Sequence, residues 1–98
     1  MVKHIILWKL KSEFNTDEIK MDIKNGLEGL FGKIEGLLEI KVQTEILDSS
    51  NVDVMLYSVF KNEDALKGYA VHPEHVKVAD IFVRPFTETR SCIDFEEK

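Results

Sequence analysis

A single cysteine in 98 residues, Cys92, rules out an internal disulfide, and a lone thiol fits a reducing compartment, so a cytoplasmic location is expected. There are only two prolines, Pro73 and Pro85, both late in the chain. Long apolar runs are missing as well. The most apolar stretch, Met1 to Leu10, is interrupted by lysines. It has neither the roughly 20 residues of a membrane span nor the small-residue cleavage site of a signal peptide, and it is expected to be a buried strand. No basic cluster interleaves with aromatics, and the net charge of −5 with a pI of about 5.1 supplies no electrostatic drive toward nucleic acid or an anionic membrane. Neither is expected as a partner. With no repeat, linker or low-complexity segment, residues 1–98 read as one domain.

What is present is a globular composition, 44% hydrophobic and 32% charged, enough to build a single core. Val2 to Leu10 reads as a strand: Val2, His4, Ile6, Trp8 and Leu10 share one face, and Lys3, Ile5, Leu7 and Lys9 the other. Phe14-Asn15-Thr16-Asp17-Glu18-Ile19 signals a helix start. Asn15 is the expected cap, Glu18 its capping-box partner, and Phe14 with Ile19 a hydrophobic staple. The apolar period Ile19, Ile23, Leu27, Leu30, Phe31, Ile34 carries that helix to about Lys33, with Gly26 beside the stripe leaving space and Gly36 in the turn. Leu38 to Leu47 alternates as a strand with Leu38, Ile40, Val42, Thr44 and Ile46 on one face. A turn at Asp48-Ser49-Ser50-Asn51 leads to a third strand, Val52 to Phe60, as an antiparallel hairpin. Asn62-Glu63-Asp64 opens a short helix to about Val71, Pro73 opens another that Arg84-Pro85 closes, and Thr87 to Glu96 is a final strand.

The order β-α-β-β-α(α)-β predicts an α+β, ferredoxin-like fold: a four-stranded antiparallel sheet with helices on one face. The bare face would expose Ile5, Leu7, Met55, Tyr57 and Val59, more apolar surface than a monomer usually shows. A two-fold homodimer formed sheet against sheet is the expected remedy.

The stretch richest in chemistry is Tyr69-Ala70-Val71-His72-Pro73-Glu74-His75, with two of the three histidines. Proline ends one helix and opens the next, so a phenol and two imidazoles meet at a joint between helices. His75 then serves as a base or as a capping or pocket histidine. In the first turn after Pro73, a helix dipole would disfavour its imidazolium and keep it neutral at pH 7. His72 is expected to be N-cap-like. His4 lies on the helix side of the first strand as pocket liner or core histidine, and Trp8 is core or an aromatic wall. The His72–His75 spacing across a proline is not that of zinc motifs, so no metal and no cofactor is expected. Cys92, with no acidic or histidine neighbour in sequence, is expected to be buried and inert.

Several segments together resemble the stress-responsive A/B barrel (Dabb) domain family, within the dimeric α+β barrel superfamily. They are the opening Val2-Lys3-His4-Ile5-Ile6-Leu7-Trp8-Lys9-Leu10-Lys11, the turn Ile34-Glu35-Gly36-Leu37, the strand Val54 to Phe60, the segment Tyr69-x-x-His72-Pro73-x-His75 and the closing Ile93-Asp94-Phe95. The resemblance implies a homodimeric barrel with a cleft between sheet and helices that takes a small apolar or carbonyl-containing ligand. Plant members include polyketide cyclases of the olivetolic acid type, which close a β-keto chain by aldol condensation. On that pattern His75 would be the catalytic base and Tyr69 the catalytic phenol. The cleft would be lined by His4, Ile6 and Trp8, by Ile23 and Leu27, by Val54 and Leu56, by His72 and Val78, and by Arg90 and Cys92. Ile23 and Gly26 stand where the cyclases carry bulky aromatics, and Arg90 and Cys92 where theirs are apolar, so a pocket of different shape that holds a cation is implied. Three functions follow from the resemblance: a ligand-binding stress domain with no established reaction, a cyclase or isomerase using His75, and, by analogy of fold alone, a cofactor-free monooxygenase or haem-processing protein.

Overall fold

A computed structural model describes all residues from Met1 to Lys98. Strand β1 (Val2–Leu10) is followed by a 3-10 turn and helix α1 (Asp17–Glu28). Strands β2 (Leu37–Gln43) and β3 (Val54–Phe60) come next, then helices α2 (Glu63–Val71) and α3 (Pro73–Val78). After α3 the chain continues through a π-helical turn (Ala79–Val83) and a 3-10 turn (Arg84–Phe86) into strand β4 (Thr87–Glu96). The sheet order is β2-β3-β1-β4, and every pair is antiparallel. This is the ferredoxin-like arrangement. The helices lie on one side of the sheet, over a core of Ile6, Trp8, Leu56 and Phe60 from the inner strands and Ile23, Leu27 and Leu30 from α1 and the turn after it.

The helix boundaries follow from local hydrogen bonding. At α1 the cap is Thr16, whose Oγ1 accepts from the Ile19 N–H at 3.2 Å. The expected cap, Asn15, instead donates to Asp53 Oδ1 at 3.4 Å, and Phe14 packs edge-on against Phe86 at 5.0 Å rather than stapling Ile19. The helix ends at Glu28, short of the expected Lys33, and turns carry Leu30 and Ile34 into the core. Gly26 leaves the space its position suggested, since a Cβ there would lie 3.0 Å from Val78 Cγ1. Asn62 caps α2 by accepting from the Ala65 N–H at 2.8 Å, and His72 caps α3 by accepting from the Glu74 N–H at Nδ1, 3.1 Å.

Strand β2 departs most from its alternating pattern. A register shift between Leu37 and Glu39 turns Leu37 into the core and leaves Leu38 44% exposed. The strand stops at Gln43, so the connection to β3 is a long loop rather than a tight turn. The edge is pinned by side chains: Lys24 Nζ donates to Val42 O at 2.8 Å, and the Val42 N–H donates to Glu28 Oε2 at 2.9 Å. Burial alone would raise the Glu28 pKa, but Lys24 and the Val42 N–H outweigh it and hold the carboxyl below its usual range.

The helix-free face of the sheet carries half-buried Ile5, Leu7, Met55 and Tyr57, with Ile93, opposite Ile5 on β4, 58% exposed. Val59, expected in this patch, is only 3% exposed in a single chain.

Gly36 adopts φ +84°, and a Cβ there would sit 2.5 Å from Ala65 Cβ. Gly36→Ala is expected to cost more than about 1–2 kcal/mol from the left-handed backbone alone, read as a lower urea midpoint at unchanged slope.

Candidate functional site

Helix α2 lies over β1, β2 and β3 but stops short of β4. The helix-facing side chains of β4, Arg90, Cys92 and Asp94, are therefore exposed, and a cleft of about 620 Å³ opens between β4 and α2. Leu66, Ala70, Glu63 and Lys67 form one wall; Arg90, Cys92, Asp94 and Glu96 form the other; Val2 and His4 lie between them. A second lobe of about 120 Å³ extends deeper, lined by Ile6, Trp8, Tyr69, His75, Ala79, Val83 and Arg84. His4, Leu66, Ala70 and Arg90 line both lobes, so the two are neighbouring parts of one groove.

The helix joint brings Tyr69 and His75 together as expected, with ring centroids 4.1 Å apart and planes inclined by 32°. They stack; no hydrogen bond joins them. Tyr69 is 1% exposed, and its hydroxyl has no hydrogen-bond partner in the protein. Burial pushes its pKa well above the usual phenol value, which leaves the hydroxyl as a proton-bearing donor. Half-buried His75 lies 3.4 Å through Nδ1 from the Ala70 carbonyl. A carbonyl can only accept, so the proton is on Nδ1, and in the neutral ring Nε2 keeps its lone pair. The His75 pKa is lowered, first by burial; the Ala70 carbonyl opposes this, and the nearby Arg84 and Arg90 guanidinium groups add to the lowering. The neutral ring is thus the expected one, but its cause differs from the helix dipole anticipated: α3 has only six residues, and burial dominates.

His4 is buried, and its Nδ1 donates to Asp94 Oδ1 in a short contact across the β1–β4 pair. Its ring meets Phe60 and Tyr69 edge-on at 6.2 and 6.1 Å, and Ser58 Oγ donates to its carbonyl at 3.0 Å. Cys92 is neither buried nor isolated. It is exposed, its thiol 3.7 Å from His4 Nδ1 and 3.6 Å from Asp94 Oδ1. Its pKa is raised, first by partial desolvation of the thiol and then by the Asp94 charge, against an opposing contribution from Arg90, which favours the protonated thiol.

Of the expected lining residues, His4, Ile6, Trp8, Arg90 and Cys92 border the groove together with Tyr69 and His75. Ile23, Leu27, Val54 and Leu56 are closed into the core, and Val78 packs against it. His72 faces a different hollow, beside Ile34, Gly36 and Gly68, where its ring caps α3. Asp94 and Arg84 had no place among the expected residues. Asp94 was legible in principle, because pairing the first and last strands antiparallel puts it opposite His4.

The family model for the stress responsive A/B barrel domain matches residues 2–97. The chain belongs to this family. It is 27% identical over 97 residues to a stress-response A/B barrel domain-containing protein of Arabidopsis thaliana, covering 97% of this chain and 36% of that protein, so the chain spans about a third of this curated relative's length. A dimeric protein of unknown function and ferredoxin-like fold from Bacteroides fragilis is 35% identical with a TM-score of 0.86, over 98% of this chain and 95% of that one. A hydroxynitrile lyase from Passiflora edulis, 20% identical with a TM-score of 0.72 over 96% and 90% of the two chains, shares the fold. No helix of the Dabb chain is long and apolar enough to cross a membrane.

The lowered His75 pKa has a definite sign in the pH dependence of stability. Between the folded pKa and the unfolded value of about 6.5, the unfolded chain binds more protons. Stability is therefore full above that value and falls as pH drops toward the folded pKa. His75→Gln should flatten this slope in urea melts between about pH 7 and 5, and the His75 ring should titrate by NMR below the ordinary imidazole value.

Proposed function

We propose that the groove binds a small carbonyl compound, its carbonyl end in the inner lobe beside His75 and any longer remainder in the outer cleft. The observation that carries this reading is the pairing of a neutral imidazole, Nε2 unprotonated, with the Arg90 guanidinium around a lobe of about 120 Å³, which Arg84, itself paired with Asp80, also borders. That set suits a ligand that is electron-rich at oxygen, and a lobe of this size admits a few heavy atoms rather than a folded polyketide chain.

A second reading adds chemistry to the same binding mode: His75 Nε2 removes a proton alpha to the carbonyl, and the enolate oxygen develops its charge before Arg84 and Arg90. A base that is unprotonated at neutral pH and positive charge placed at the developing oxyanion are the two requirements of that step. Tyr69, stacked on His75, then serves to orient the ring. Enolate formation is shared by aldol closure and by isomerisation, and this reading extends to either.

Short β-keto acids titrated into labelled protein are expected to give saturable shifts at His4, Tyr69 and His75; shifts confined to surface residues would reject the groove as the site. For the second reading, deuterium exchange at the alpha carbon is the measure. His75→Ala should slow it by about 10²-fold or more with folding unchanged, whereas unchanged exchange would remove His75 from the mechanism.

We also propose that the protein is a homodimer through the bare sheet face, supported by the dimeric state of the 35% identical relative and by Ile5, Leu7, Met55 and Ile93 on that face. A monomeric wild type in sedimentation would sink this; a dimer that Ile93→Asp converts to folded monomer would support it. The single-domain organisation and a cytoplasmic location belong to the same proposal.

A further inference from the structure

We propose that His4, Cys92 and Asp94 form a three-ligand site for a zinc-class divalent cation, with its open coordination position facing the outer cleft. The inference does not rest on His75 acting as a base.

The three donor atoms converge from two adjacent strands. His4 and Asp94 are direct cross-strand partners, and Cys92, paired with Ile6, lies two residues along on the same face. His4 Nδ1, Cys92 Sγ and Asp94 Oδ1 lie within 4.8 Å of one another, with separations of 3.7 Å for sulfur to nitrogen and 3.6 Å for sulfur to oxygen. Around tetrahedral zinc, with bonds of about 2.3 Å to sulfur and about 2.0–2.2 Å to nitrogen and oxygen, neighbouring ligand atoms fall roughly 3.3–3.6 Å apart. Two of the three edges are thus already close to that spacing. The third, His4 to Asp94, is shorter because a proton bridges it; a cation replacing that proton would spread the pair by a side-chain rotation of exposed Asp94.

The donor set narrows the ion. A thiol beside an imidazole and a carboxylate disfavours calcium and magnesium, which take oxygen ligands, and suits zinc or cobalt. Three protein ligands with a fourth position open is the pattern of zinc sites that bind a water or ligand oxygen. Here the remaining direction opens on the cleft of about 620 Å³. The charges of the ligand set balance: a dication offsets the Cys92 thiolate and the Asp94 carboxylate, while on the cleft walls Lys67 is paired with Glu63 and Glu96 with the N-terminal ammonium. His4, the buried member, is held by Ser58 at its carbonyl and by Phe60 and Tyr69 at its ring. One ligand is therefore fixed in place before any cation arrives.

The alternative use of the same residues, a nucleophilic thiol activated by a histidine and oriented by an acid, does not fit. Such a relay needs the thiol and the carboxylate on opposite ring nitrogens, and here both approach Nδ1.

The test uses the full chain, stripped with chelator and titrated with Co²⁺. One equivalent per chain with a thiolate-to-cobalt charge-transfer band, displaced by Zn²⁺, is expected. Cys92→Ser and Asp94→Asn lie on an exposed strand and should keep the fold, checked by circular dichroism. Each should weaken Zn²⁺ binding by more than the roughly 10–100-fold that accompanies loss of an outer-shell partner, and Cys92→Ser should abolish the band. His72→Ala, whose histidine lies in a different hollow, should leave binding unchanged. Absence of stoichiometric Co²⁺ binding, equal affinity of wild type and both ligand variants, or loss of binding in His72→Ala would overturn the site.

Discussion

The antiparallel pairing of β1 with β4 is the constraint on which the rest of the groove depends. It sets His4 opposite Asp94, Ile6 opposite Cys92 and Trp8 opposite Arg90, so one row of the sheet's helix-facing surface is apolar and buried while the adjacent row is polar and exposed. The helices can cover only the first row. They are anchored over β3 and β1 by the core contacts of Tyr69, Leu27 and Val83, and α2 is locked to the turn before β2 by the close approach of Gly36 to Ala65. What remains uncovered is a groove with a buried floor and a polar wall. Such a shape suits the ligand-binding role proposed for it, because the floor excludes water on one side while polar groups can orient a ligand on the other.

Much of the architecture was legible because local and global signals agree. The β1 alternation, the Pro73 joint and the Asn62 cap each have one physical solution, and each was realised. The misreadings have equally local causes. Asn15 and Thr16 are both competent caps, and only the position of Asp53, distant in sequence, draws Asn15 away. The bulge at Leu38 inverts the inside-outside pattern at the start of β2, which strict alternation cannot foresee. The encounter of Tyr69 with His75 is legible because a proline forces it, whereas the contact of Asp94 with His4 joins residues 90 positions apart and emerges only once the first and last strands are paired. Cys92 has one neighbour across the sheet, His4, which no local pattern shows, and one along the chain, Asp94, two residues on and on the same face of the strand.

The exposed face of β4 also explains why pattern alone could not separate pocket from core. Val54 and Leu56 point to the same side of the sheet as His4 and Trp8, and Ile23 and Leu27 face that side from α1, but all four lie where α1 and the strands close completely. Facing the helices is necessary for lining the groove and not sufficient; the decisive variable is which strand lies beneath, and only β4 is left bare.

Size then limits what the groove can do. The inner lobe, about 120 Å³, holds the Tyr69–His75 pair and Arg84, while the outer cleft, about 620 Å³, holds Cys92 and Asp94. A long ligand can place only its end beside His75, and the rest must run past Arg90 and along β4. Arg90 stands at the junction of the lobes, where it would meet either the anionic end of a short ligand or the mid-section of a longer one. In the first case it would act largely alone, since Arg84 is already paired with Asp80. In the second it selects for an acceptor a few bonds from the carbonyl, as a 1,3-dicarbonyl provides. For the proposed binding role, both cases would favour oxygen-rich ligands over purely apolar ones, because the Arg90 guanidinium set against hydrocarbon would forfeit its hydration without return.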